Sequence, residues 1–128
     1  MNMEKVVFGF FVLLAATMNF GFFIGDLGRP ELHNIYELYA AVVINLIATV
    51  LKFGDRTQIG AIHLATSLVA VIQLMAASAI YIWATQVSRE GLTVHMMSSV
   101  VSMSGGALLA NIVSLVLLVI ETASYRRR

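Results

Sequence analysis

The chain has 128 residues, enough for one domain, of which 59% are apolar and 12% charged, with a formal net charge of +1. Average soluble domains carry roughly 25% charged residues, so the surplus apolar surface must meet lipid, and the near-neutral balance excludes nucleic acid as a partner. Cysteine is absent, which excludes disulfides, thiol catalysis and thiolate-held metal centres.

A bilayer core about 30 Å thick is crossed by roughly 20 apolar residues in helical form. Four segments reach that length. The first covers 6–25, and Asn19 is its only strongly polar member. Gly21 and Gly25 form a Gly-x-x-x-Gly pair, through which membrane helices approach closely. Asn19 and Asp26 lie on a different face, from which Asn19 is expected to reach the polar strip of the second span. Lys5 ahead of an apolar run also fits a secretion signal. No small-x-small cleavage site follows, so the span is expected to be retained. Glycine and proline in 26–31 then break the chain.

The second span covers 35–53. At about 100° per residue, Asn34, Glu37, Ala41, Asn45, Ala48 and Lys52 fall within an arc of about 80°, and the rest of the helix is bulky and apolar. This strip has two readings. As an ion pathway between several copies, it places a ring of Glu37 carboxylates at the outer mouth, where such rings concentrate cations. Asp26 and Glu31 then extend the acidic mouth, Asn45 narrows the path, and Lys52 stands at the inner exit. As a packing face, the same small residues let a neighbouring helix come close, and Asn45 bonds to it.

The third span covers 59–87, after a tight turn at 54–56 and with Thr57 as N-cap. Gly60, His63, Ser67, Ala70, Ala77, Tyr81 and Thr85 share a face, with Gln73 at its edge. His63 is either a pH-sensitive group or a hydrogen-bonded structural one. Residues 88–91 close the span. The fourth span covers 92–120 and is closed by Glu121. Ser98, Ser102 and Gly105 share one face; Ser104, Ala107, Asn111 and Ser114 share another. Gly105 and Gly106 weaken the helix, marking either a kink or broken helix beside a cavity, or a close helix contact.

Short connectors make sequential helices antiparallel neighbours. The expected architecture is therefore an all-α, integral membrane four-helix up-down bundle forming a single domain over 1–128. Lys5, Lys52, Arg56, Arg126, Arg127 and Arg128 fall on one side, against Arg29 and Arg89 on the other. The positive-inside rule then puts both termini in the cytoplasm. All seven acidic residues lie at or near the span boundaries, and no catalytic constellation appears, so the chain is not expected to be an enzyme.

The stretch Lys52-Phe53-Gly54-Asp55-Arg56-Thr57-Gln58-Ile59-Gly60, followed by His63-Leu64-Ala65-Thr66-Ser67-Leu68-Val69-Ala70, resembles an uncharacterised family of small bacterial four-helix inner-membrane proteins. The resemblance implies a multi-pass location in the bacterial inner membrane. It carries no catalytic or binding residue with it.

Three functions follow as expectations. The first is a small homo-oligomeric, cation-preferring channel with the second span lining the pore, an inorganic cation as permeant and no cofactor. The alternative is a non-conducting accessory subunit packed against a larger transporter or enzyme. The third is a membrane haem or metal protein, in which His33 and His95 face each other across helices or join Glu31 or Glu37 at a metal.

Overall fold

The computed structural model describes residues 3–24, 34–55 and 57–126, with side chains for all of these except 124–126. Four helices account for nearly all of them: α1 (Met3–Phe23), α2 (Ile35–Lys52), α3 (Gln58–Gln86) and α4 (Val94–Arg126). Each is long and apolar enough to cross a membrane. Asp26, Glu31, Gly25, Arg29, His33, Arg56, Arg127 and Arg128 lie outside the described residues.

Local chemistry explains where the helices start. Asn34 accepts a hydrogen bond from the Tyr36 backbone N–H at 3.0 Å and caps α2. Thr57 does the same for α3, its hydroxyl accepting from the Gly60 N–H at 3.0 Å. Such caps satisfy donors that the first helical turn leaves unpaired. Asn34, grouped by sequence with the polar strip, is thus a capping residue. Between α3 and α4 the chain turns through Gly91 at φ 72°, a left-handed conformation that suits glycine.

α4 runs beyond Glu121, where the fourth span was expected to close, because no glycine or proline stops it there. The helix is also continuous through Gly105 and Gly106. Of the two readings of that pair, the structure has the close contact. A Cβ at Gly105 would stand 2.8 Å from the Phe23 ring, and one at Gly106 would run into the Gln73 amide.

The helices contact in the cyclic order α1–α2–α3–α4 and back to α1. Lys5 meets Glu121 and Asn19 meets Ser104, so α1 and α4 are antiparallel. Lys52 covers the Phe8 ring and Glu37 covers Gly21, so α1 and α2 are antiparallel as well. One end of the bundle therefore carries both termini and the α2–α3 turn; the other is called the far end below. Buried alanines at 15, 16, 41, 48, 70, 77 and 107 allow the close approach. In lipid, where apolar burial gives helices little drive to associate, such packing holds them together. Large apolar side chains such as Phe10, Phe20, Val50, Ile72, Leu109 and Val119 point outward, the surface expected of a bundle surrounded by hydrocarbon.

Candidate functional site

The interior is polar toward one end. Among the described residues, Asn19, Asn45, Thr49, Lys52, His63, Ser67, Ser104, Asn111 and Ser114 are buried although they carry polar or charged side chains. All four helices contribute, and each does so from one face. On α3 the spacing from His63 to Ser67 is one turn. On α4, Ser114 and Glu121 are seven residues apart and differ by only about 20° around the helix.

The charged part of this interior lies at the termini end. Lys5 pairs with Glu121 across α1 and α4. Lys52 bends back over Phe8, its Nζ 4.3 Å from the ring centroid, and lies 3.4 Å from Asp55 Oδ2. Asp55 Oδ1 accepts from the Thr57 hydroxyl at 2.7 Å and from its backbone N–H at 2.9 Å. These Thr57 donors, aided by Lys52, hold the Asp55 carboxyl well below the usual carboxylate range, at about 2. A cavity of about 760 Å³ opens here, lined by Glu4, Lys5, Lys52, Asp55, Thr57 and Glu121 on its polar side and by Phe8 among its apolar walls.

One layer deeper lies His63, with no exposed surface. Its Nδ1 is 2.8 Å from Ser114 Oγ, and its ring meets Phe8 edge-on with centroids 5.0 Å apart. Nε2 faces Glu121 Oε2 at 3.7 Å, and neither atom has a hydrogen-bond partner. Further in, Asn111 Nδ2 is also buried without a partner. Gln73 Oε1 and Ser78 Oγ, farther along α3, also lack a protein partner; an unpaired buried polar atom costs roughly 1–3 kcal/mol.

Every expected site residue on α2 can now be placed. Ala41, Asn45, Ala48 and Lys52 turn into their own bundle, and Glu37 is half-buried with its carboxylate against Gly21 of α1. Asn45 Nδ2 donates to the Ala41 carbonyl at 2.9 Å, and the Thr49 hydroxyl donates to the Asn45 carbonyl at 2.8 Å. The outward faces of α2 carry Val43, Leu46, Ile47, Val50 and Leu51. The strip therefore faces the interior of its own bundle. The outer acidic mouth of Asp26 and Glu31 and the second glycine of the packing pair, Gly25, lie outside the described residues.

Asn19 does not turn to α2 as expected. Its amide nitrogen donates to the Ser104 hydroxyl at 2.5 Å and to the Ser104 carbonyl at 3.1 Å, and its oxygen accepts from the Leu108 N–H at 3.0 Å. The reason is angular: the face of α1 that bears Phe8, Val12, Ala15 and Asn19 turns inward, and α4 presents Ser104 to it. The amide spans one backbone hydrogen-bonding repeat of α4, across the two glycines. For the metal reading, no group of three His, Cys, Asp or Glu that could hold an ion occurs among the described residues. His95 is exposed on α4, while His33 and Glu31 fall outside the described residues.

Sequence reasoning missed the Lys5–Glu121 pair and the part Glu121 plays beside His63. A signal existed, since Ser114 and Glu121 share a face of α4 and Lys5 shares that of Phe8, Val12 and Asn19. Treating Glu121 only as a span boundary hid it.

The four-helix fold and its one-sided polar interior define a helical protein of the multi-pass membrane type. Residues 32–122 match the model of a family of unknown function, DUF6394, and the chain belongs to that family. No curated protein and no solved structure matches the chain.

Proposed function

We propose that the protein is an ion-translocating membrane protein whose polar path lies within each bundle, reached from the termini end and closed toward the far end by an apolar core. The observation that carries this reading is the polar interior itself. His63, Ser67, Asn111, Ser114, Asn45 and Thr49 are buried between helices otherwise built for lipid. Ionisable and polar side chains inside a membrane are costly and usually line a substrate or ion path.

The cavity at the termini end supplies the access point, and its mixed lysines and carboxylates keep it wettable. Toward the far end, Phe22, Leu38, Leu74, Met97, Val100 and Val101 form a dry plug, the kind of constriction that gates by excluding water. The lysine and arginine bias supports cytoplasmic termini, and the resemblance of the 52–70 stretch supports the bacterial inner membrane as the location. Cation preference is supported by the small acidic excess of the access cavity, where Glu4, Asp55 and Glu121 outnumber Lys5 and Lys52.

Purified protein in proteoliposomes is the test, with sodium, potassium and hydrogen-ion gradients imposed in turn. Flux of at least one of these is expected. Asn111→Leu, which replaces a buried amide by an apolar group of the same branching, should reduce it about tenfold or more while the protein stays folded. Folded, inserted protein that carries none of the three would overturn the reading.

A further inference from the structure

The two unpartnered atoms beside the cavity face one another just beyond hydrogen-bond distance. His63 Nδ1 lies 2.8 Å from Ser114 Oγ. With Nδ1–H donating to that hydroxyl, Nε2 presents a lone pair to Glu121 Oε2, 3.7 Å away. Two acceptors then face one another in a buried place, and both lack a partner. A hydrogen added to Nε2 makes the ring an imidazolium facing a carboxylate, and a small approach of the Glu121 side chain from 3.7 Å then gives a charge-assisted hydrogen bond that satisfies both atoms.

We propose that His63 and Glu121 form a proton-loading site, with Glu121 as the carrier between the cavity and the buried ring. This rests on the ion-translocating reading and adds the identity of the ion and the atoms that hold it. The carboxylate is suited to the task because its two oxygens serve different neighbours. Oε1 pairs with Lys5 at the cavity wall, and Oε2 faces the ring.

In the loading step, a hydronium ion in the cavity gives up one O–H bond as an O–H bond forms on Glu121 Oε1, the oxygen at the cavity wall. The carboxyl group then turns to bring that hydrogen to the ring, and its O–H bond breaks as the Nε2–H bond forms, which regenerates the carboxylate and leaves water as the only by-product. The ligand is a proton rather than a metal ion because only two donor atoms converge here and no third His, Asp or Glu joins them among the described residues.

Every charged element around the ring takes part. α4 supplies Glu121; α1 supplies Lys5, beside the edge-on Phe8 ring; α2 supplies Lys52; and the following turn supplies Asp55. Lys52 is occupied by Asp55, and Lys5 by Glu121. A proton on His63 therefore places a second cation on the carboxylate that already holds Lys5, each on its own oxygen, and the two positive charges repel one another across it.

Nitrogen NMR of the full chain in lipid nanodiscs, with labelled histidine, tests this directly. As pH is lowered, His63 Nε2 should change from the unprotonated to the protonated signature while Nδ1 stays protonated. At matched pH, Glu121→Gln should lower the ratio of protonated to neutral His63 about tenfold or more, as expected for loss of an opposite charge within 4–6 Å. Lys5→Met, which tests the coupling from the cavity side and leaves Glu121 in place, should raise that ratio. An Nε2 that carries hydrogen at every pH, or a ratio that neither variant changes, would sink the proposal. Flux separates the two levels of inference. Titration as described without ion flux keeps the loading site and removes the translocation reading; flux with a silent His63 does the reverse.

Discussion

At the far end of the bundle, Phe22, Leu38, Leu74, Met97, Val100 and Val101 meet with no polar group among them and almost no exposed surface. At the termini end, the buried apolar residues of the local cluster are only Phe8, Val12 and Ala48, and around them lie Lys5, Lys52, His63, Ser114 and Glu121. The same four helices are thus joined in two ways. The far end relies on dispersion between closely fitting side chains, which works in lipid as it does in water. The termini end relies on ion pairs and hydrogen bonds. Part-buried ion pairs of this kind contribute little net stability, so the two ends differ in what holds them together.

The comparison is sharpest where apolar and polar truncations are set side by side. Leu74→Ala should destabilise the detergent-solubilised protein by about 2–5 kcal/mol, because it leaves a cavity in a fully packed layer. Asn111→Leu should change stability by less than about 1 kcal/mol, because it removes a buried donor that has no partner. Denaturant unfolding followed by circular dichroism measures both. Equal losses would erase the distinction between the ends.

Asn19 lies at the seam between the two regions and tests whether its brace on α4 is structural. Asn19→Leu removes its bonds to Ser104 and to the Leu108 N–H and should cost about 1–2 kcal/mol. It should also speed amide exchange at 104–108 while exchange at 97–101 stays unchanged. Faster exchange along the whole of α4 would show that the far end depends on the brace and is not an independent region.

The smallest effect belongs to the rim of the polar end. Asp55 is held at about 2, below its ordinary 3.8. A lowered carboxyl pKa contributes stability that is fully present above the unfolded value and fades as pH falls through the folded one. The turn between α2 and α3 should therefore weaken between about pH 4 and 2, and Asp55→Asn should flatten that part of the unfolding profile. An unchanged acid profile in the variant would mean that Asp55 does not secure the turn.

Much of this was legible in the chain order of residues. The four helices, the Thr57 cap, the break at 88–91, the inward face of α3 from Gly60 to Ala77 and that of α4 at Ser104, Ala107, Asn111 and Ser114 follow from periodicity and local capping, whereas in the last turns of α3 Ala84 is buried and Thr85, expected on that face, is exposed. The strip on α2 was equally legible as a strip. What it faces was not, because a helix with one small, polar face can turn that face to its own bundle or to another copy at similar local cost. Asn19 and Glu121 were misjudged for the same reason, since their partners lie on another helix.

Length, apolarity and capping chemistry act within a few residues, so the sequence by itself determined the number of helices, their approximate ends and their fitness for lipid. Tertiary packing alone decided the rotation of each helix about its axis. Through that rotation it joined Lys5 to Glu121 across 116 positions of chain and brought His63 between them and Ser114. No local interaction relates side chains so far apart; only the simultaneous close fit of four helix surfaces does.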